Sequence, residues 1–223
     1  MLILALDPPT GVDAFSWSMR IAEEVGDLVH GVKIGLPLVL DIGLQRVGDL
    51  LSVFKGIKIA DLKLADIGDV MCLTLERLAS IGIDAVIAHA FVGFRGAIDK
   101  LSSRCRELGV KLILVVSMSH PGSSEIMDEV IDKLVDVARR ACAWGVVAPA
   151  TRLDVVRYVR SQLPEAKILC PGVGVQGASP GDALCAGADY EIVGRLITRS
   201  DSPRRSALEV LEMQRKKLAI CRR

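Results

Sequence analysis

Asp61, Lys63 and Asp66 stand in the stretch "DLKLADI" (61–67), directly after the β-branched apolar run "IKIA". The run reads as the start of a buried strand, and charges at its end are costly unless they pair and hydrogen-bond. Side chains on a strand alternate with period two, so Asp61 and Lys63 are expected to face the same way. Lys33 and Asp7 end two other apolar runs and offer further partners of alternating sign. A structural ion-pair network is the plain alternative for a lone Asp-x-Lys. With Asp7, Lys33 and Asp66 added, stability alone is a poor reason to gather so many charges. The array suits a reaction in which negative charge develops on carbon. A held ammonium stabilises that charge and can then donate a proton. Flanking carboxylates keep the lysine protonated and placed, and they make a substrate carboxylate a poor neighbour.

Such residues need a scaffold that brings distant segments to one place. Short apolar runs recur along the chain: "LILAL" (2–6), "VHGVKIG" (29–35), "IKIAD" (57–61), "AVIAH" (85–89), "LILVV" (112–116), "GVVAP" (145–149), "KILCP" (167–171) and "EIVG" (191–194). Between them lie segments of helical periodicity, among them 14–24, 75–80, 124–143 and 152–162. A last helix is predicted over 203–218, with Pro203 near its start. Eight alternating units predict an α/β fold: one (β/α)₈ TIM-barrel domain over 1–223, more compact than the usual ~250 residues. An open doubly wound sheet is the rival architecture.

In such a barrel, chemistry sits on the loops after the strands. Asp7, Lys33, the Asp61–Lys63 pair, His89, the Ser117–Ser119–His120 segment, "PGVGVQG" (171–177) and Gly194–Arg195 all fall at strand ends. They are predicted to share one rim.

Composition narrows the classes. The chain has 223 residues, half of them hydrophobic but only 4% aromatic, as in sheets covered on both faces. Net charge is +1, which gives no overall pull toward nucleic acid or an anionic membrane. The basic tail from Arg204 to Arg223 reads as a solvated helix face. The six cysteines form no CxxC pair and no Cys/His cluster, so no metal site is expected. A reducing cytoplasm is the default reading, with intracellular hyperthermophile proteins as the known exception. "MLILALDPP" has no basic leader region and reads as a strand. No apolar run is long enough to span a bilayer.

Five ordered motifs then carry a family resemblance across essentially the whole chain. "DLKLADI" resembles the D-x-K-x-x-D-[IV] signature of orotidine 5′-phosphate decarboxylases. "VKIGLPLVL" (32–40), "MSHPG" (118–122), "PGVGVQG" and "VGR" (193–195) follow in that family's order and spacing, in its compact archaeal-type form. The resemblance implies a barrel that works as a homodimer. It implies release of CO₂ from orotidine 5′-monophosphate to give UMP, with no metal or organic cofactor. It assigns Lys63 as proton donor to C6, with Asp61 and Lys33 holding it in an alternating array. Lys33 and Asp7 would contact the ribose, Ser119 would hydrogen-bond the pyrimidine, and Pro171 would line the base pocket. Gln176, Gly194 and Arg195 would bind phosphate. Asp66 and Ile67 would complete the partner subunit's site.

There are departures. Val70 stands where the family often has a Thr that reaches the partner's ribose, so one substrate hydrogen bond is expected to be missing at that binding position. Ala90 follows His89 in place of a frequent Gly, and Leu196 follows Arg195 in place of a small residue or Pro.

Two rival readings use the same residues. Mg²⁺-dependent sugar-phosphate barrels of the hexulose-phosphate synthase or keto-gulonate-phosphate decarboxylase type share D-x-K-x-x-D. They usually carry Glu at the place of Lys33, and "VKIG" and "MSHPG" speak against them. A non-catalytic phosphate-binding barrel would be expected to have lost Asp61, Lys63 or Asp66. "GVGVQG" (172–177) fits the dinucleotide fingerprint letter for letter, but it lies near the chain's end and no acidic residue closes the next strand. His30, His89 and His120 read as packing or loop-shaping residues, and Trp17 and Trp144 as core or interface.

Overall fold

The computed structural model describes residues 1–221. Arg222 and Arg223, the end of the basic tail, lie outside them. Eight parallel strands close into a barrel in the order β1 to β8, with β8 returning to pair with β1. The strands are β1 Leu2–Leu6, β2 Gly31–Gly35, β3 Ile57–Leu64, β4 Ala85–His89, β5 Lys111–Val115, β6 Gly145–Val147, β7 Lys167–Pro171 and β8 Tyr190–Val193. Each lies where an apolar run predicts it. β1, β2 and β4 are buried along their whole length, because helices cover the outside and packed side chains fill the inside.

The helices are α1 Ala14–Val25, α2 Leu36–Leu51, α3 Gly68–Ala79, α4 Asp99–Leu108, α5 Ser123–Ile126, α6 Ile131–Arg140, α7 Leu153–Gln162, α8 Asp182–Cys185, α9 Arg195–Thr198 and α10 Pro203–Cys221. Two differ from the periodicity reading, and α2 lies outside the segments it named. The 124–143 segment is divided into α5, a 3₁₀ turn at Asp128–Val130 and α6, because Val130 leaves the helical region (φ −121°, ψ 21°). The helix predicted at 75–80 starts earlier, at Gly68. α2 is broken at Gly43, whose φ of 73° is open to glycine at little cost. Pro203 is the first residue of α10, where its missing N–H is harmless.

β3 departs from a regular strand. Its pairing with β4 runs from Ala60↔Val86 to Leu64↔Ala88, so four steps on β3 answer two on β4. The extra length holds Asp61, Leu62 and Lys63, and the Lys63 backbone is left-handed (φ 49°). Simple strand alternation therefore does not place Lys63. A bulge does.

The cysteines also depart from the reducing default. Cys185, at the end of α8, forms a disulfide with Cys221, at the end of α10. Cys170 is sealed in β7, where burial pushes its thiol well above the ordinary value. No described helix is long and apolar enough to cross a membrane.

Candidate active site

Much of the predicted rim comes together, but Ser117, His89 and His120 line neither of the two cavities there. Lys33 stands at the middle of β2 and not at its end; it is buried, and its Nζ lies 3.3 Å from Asp61 Oδ2 and 3.8 Å from Asp7 Oδ2. Lys63 Nζ donates to Asp61 Oδ1. Asp61 thus sits between two ammoniums, in the order Asp7, Lys33, Asp61, Lys63. Burial is the largest influence on the Asp61 carboxyl and opposes its ionisation. Lys33 and then Lys63 outweigh it and hold the carboxyl below its ordinary value. Gly35 lets the Asp7 carboxylate come this close, since a Cβ there would stand 2.7 Å from Asp7 Oδ1.

Two joined cavities share Lys33, Pro171 and Ile192. The inner one is walled by Asp61, Lys63, Ile87, Met118, Ser119 and Val147. It is largely apolar, with the charges at one side, and it suits a flat ring that presents one reacting edge. The outer one is walled by Asp7, Gly172, Val175, Gln176, Gly194 and Arg195. The loop between β7 and α8 folds back on itself there: Gly174 N–H donates to Ala178 O at 2.8 Å and Gly177 N–H to Gly174 O at 2.8 Å. Gly172 has φ 108°, and a Cβ on it would reach Gln176 Oε1 and Thr151 Cγ2 at 3.2 Å and Ser119 Cβ at 3.5 Å. Glycine therefore lets three loops meet over the site. A guanidinium and a side-chain amide on its wall make this outer cavity suited to a phosphate.

The loop carrying Ser119 is held by residues outside the predicted rim. Arg152 pairs with Asp128, and its Nη2 donates to Ser117 Oγ at 2.8 Å and also to Met118 O. Ser117 Oγ donates to Asp128 Oδ1 at 2.7 Å, and Met118 N–H donates to Ser123 Oγ at 2.9 Å. The signal was present: "APATR" puts Thr151 and Arg152 just past the end of β6.

Asp66, Ile67 and Val70 do not join this cavity. Asp66 Oδ1 accepts from the neighbouring Ile67 N–H, while Ile67 is 62% and Val70 42% exposed. Their arm is braced at Gly68, where a Cβ would lie 2.9 Å from Gly96 O. Leu196 packs on Gly174 of the β7 loop, and Ala90 is buried.

His89 is buried and packs at a tilt against Phe91, with ring centroids 4.6 Å apart and planes at 37°, and its Nδ1 has no hydrogen-bond partner among the described residues. Burial, then the Lys63 ammonium, keeps its pKa below the ordinary value, partly opposed by Asp61. His120 shapes its loop, its carbonyl accepting from Ser123 N–H at 3.2 Å. Asp189, which precedes β8, is tied to Arg160 and Lys167.

Comparisons with known proteins agree with this geometry. A family model described as "Orotidine 5′-phosphate decarboxylase / HUMPS family" matches residues 1–210. A protein of Aeropyrum pernix named orotidine 5′-phosphate decarboxylase is 50% identical over 207 residues, which are 91% of this chain and 83% of the relative. One of the same name from Pyrococcus furiosus is 40% identical over 95% of this chain and 96% of its own. Among solved structures, orotidine 5′-monophosphate decarboxylase of Methanocaldococcus jannaschii, complexed with the inhibitor BMP, superposes with a TM-score of 0.88. It is 32% identical, over 96% of this chain and 97% of its own. The Metallosphaera sedula enzyme gives 0.86 at 42% identity, over 97% and 98%.

Proposed function

Because the chain belongs to the orotidine 5′-phosphate decarboxylase / HUMPS family, we infer that it is a carboxy-lyase that converts orotidine 5′-monophosphate to UMP and CO₂ in pyrimidine nucleotide synthesis. The observation that carries the reading is Asp61 held between Lys33 and Lys63 beside an apolar cavity that opens onto a phosphate-type loop. The C6–carboxylate bond breaks, CO₂ leaves, and the electron pair stays on C6. The Lys63 ammonium stabilises that pair and then protonates C6. The neutral amine regains its proton from water. Asp61 and Lys33 keep Lys63 charged and aimed.

Lys33 and Asp7 hold the ribose, Ser119 meets the pyrimidine, and Pro171 lines its pocket. Gln176, Gly194 and Arg195 take the phosphate. Asp66, Ile67 and Val70 serve the site of a second copy, so the working form is a homodimer. Their exposure and their absence from the cavity of their own chain support this. Val70 offers that site a methyl surface in place of a hydroxyl. The enzyme acts in the cytoplasm on a small nucleotide and uses no metal or organic cofactor.

The Mg²⁺-dependent sugar-phosphate reading is not favoured: it calls for a carboxylate where Lys33 stands. Loss of orotidine 5′-monophosphate absorbance, followed with EDTA present, separates the two. Turnover that survives EDTA is the expected result. Turnover that disappears with EDTA and returns with Mg²⁺ overturns the reading.

A further inference from the structure

We propose that Glu191, buried behind the barrel wall and remote from the reacting atoms, is a positioning residue that fixes the two phosphate-binding segments relative to each other. The inference rests on the assignment of the β7 loop and Gly194–Arg195 to the phosphate.

Glu191 has no exposure to solvent, and its hydrogen bonds from described residues all come from neutral donors. Both carboxylate oxygens accept from the Gly181 N–H, at 2.9 and 2.8 Å. Oε1 also accepts from the Ala183 N–H at 3.2 Å, and Oε2 from Gln214 Nε2 at 2.9 Å. The Met1 ammonium acts on this carboxylate through space, but its hydrogen bonds come from neutral donors, and such burial costs stability, so its place calls for a use beyond packing. The two segments it joins suggest the use.

On one side Glu191 belongs to β8, and the same strand leads directly to Gly194 and Arg195. On the other side Gly181 ends the β7 loop. Only Ser179 and Pro180 separate Gly181 from Ala178, which bridges back to Val173 and closes the loop. Pro180 is buried, and Asp182 N–H donates to Ser179 O at 3.2 Å, so this link is a short turn with little slack. Gly181 is itself wedged against α10: it has φ 93°, and a Cβ there would lie 2.7 Å from Lys217 Cβ. Lys217 pairs with Asp182, and the Cys185–Cys221 disulfide ties the next turn to the same helix. The downstream hinge of the loop is thereby locked, and Glu191 is the tie between that lock and the strand bearing Arg195.

Glu191→Gln replaces one of the two accepting oxygens with an NH₂ group that faces other donors. Adding Gln214→Glu reverses the polarity of the pair, so that the new side-chain amide on β8 keeps its carbonyl for Gly181 and gives its hydrogens to the new carboxylate on α10. Binding is read without turnover, by calorimetry with UMP and with uridine, which has no phosphate. Glu191→Gln is expected to weaken UMP about tenfold and leave uridine within about twofold. It should raise KM for substrate by a similar factor while kcat stays close to that of the parent. The double exchange should recover most of the UMP affinity. Gly181→Ala, which moves the hinge with Glu191 in place, should weaken UMP in the same selective way, and it serves if the first variant does not fold. Equal losses for UMP and uridine, or unchanged UMP affinity in either single variant, overturn the proposal. So does a double exchange that recovers nothing. A parent that binds UMP far more tightly than uridine but turns over no orotidine 5′-monophosphate overturns the functional reading and leaves this one standing.

Discussion

Lys63 reaches the Asp61 carboxylate from a left-handed backbone, two residues along a strand that has lost register with its neighbour. A non-glycine residue in that region costs about 1 kcal/mol or more. The cost is borne at the residue that the proposed chemistry needs most. Lys63→Ala is expected to fold and to lose decarboxylation. Lys63→Gly should be equally inactive but more stable than Lys63→Ala by about 1 kcal/mol, because glycine accepts the left-handed φ. Turnover assays and denaturant melts of the two variants check this. Near-normal turnover by either one sinks the role given to Lys63.

A shared site predicts complementation. Asp66→Asn and Lys63→Ala subunits, each inactive alone, should regain activity when mixed and allowed to exchange. One of the two sites in a mixed dimer then keeps both residues intact, so recovery is expected at about a quarter of the parent level for equal, random exchange. No recovery, with exchange demonstrated by differently tagged subunits, counts against the shared site.

Arg152 should matter without touching substrate. It spans Asp128, Ser117 and the Met118 carbonyl, and so sets where Ser119 stands. Arg152→Met is expected to lower kcat/KM about 10- to 100-fold, the loss of one or two charge-assisted bonds. Arg152→Lys should rescue little, because one ammonium cannot reproduce the guanidinium fork. Steady-state kinetics on the two variants decide this, and full activity of Arg152→Lys would refute the fork.

The pH response of Asp61 has a definite sign. Its carboxyl is depressed in the folded protein, because Lys33 and Lys63 outweigh the opposing effect of burial. Such a group stabilises the fold above its unfolded value of 3.8, and the contribution is lost as pH falls through the lower folded value. The stability gap between the parent and Asp61→Asn should therefore be flat from about pH 5 to 8 and shrink below about pH 4. Denaturation curves across that range measure it. A gap that already shrinks near neutral pH contradicts the assignment.

The disulfide predicts a stability effect. Cys185 and Cys221 are 36 residues apart, and closing such a loop is worth up to ~3–4 kcal/mol in the chain-entropy picture. Cys185→Ser or treatment with a dithiol should lower the melting temperature by roughly 5–10 °C. Thiol titration of the unreduced, denatured protein should count four free groups. Six groups would show that the bond does not form.

Most of the scaffold can be read from the sequence. Each strand of a parallel barrel is buried on both faces and leaves an unbroken apolar run, and "LILAL" and "AVIAH" match β1 and β4 residue for residue. Helix α2 was harder to see, because Pro37 and Gly43 interrupt its pattern and the chain turns there without a loop. Asp7, Lys33, Asp61 and Lys63 were legible as charges that burial would make costly. How Lys63 is placed was not, since a register shift against β4 depends on two strands together and leaves no periodic mark on one. Arg152 and Asp128 escaped for a related reason: each is an ordinary polar residue until the barrel brings them together. Glu191 opens the run "EIVG" with nothing in the pattern to mark it, because its partners Gly181, Ala183 and Gln214 lie on other segments.

Because β8 pairs back onto β1, the Asp7 and Arg195 ends of the site come from the first and last strands of the chain. A growing polypeptide would carry the Asp61–Lys63 pair long before it carried a place for the phosphate. A chain cut before β8 has the acid–base pair but lacks Gly194 and Arg195, and with them part of its grip on the phosphate. Recognition of the whole nucleotide is therefore a property of ring closure, and UMP binding should report the completion of folding more faithfully than helix content does.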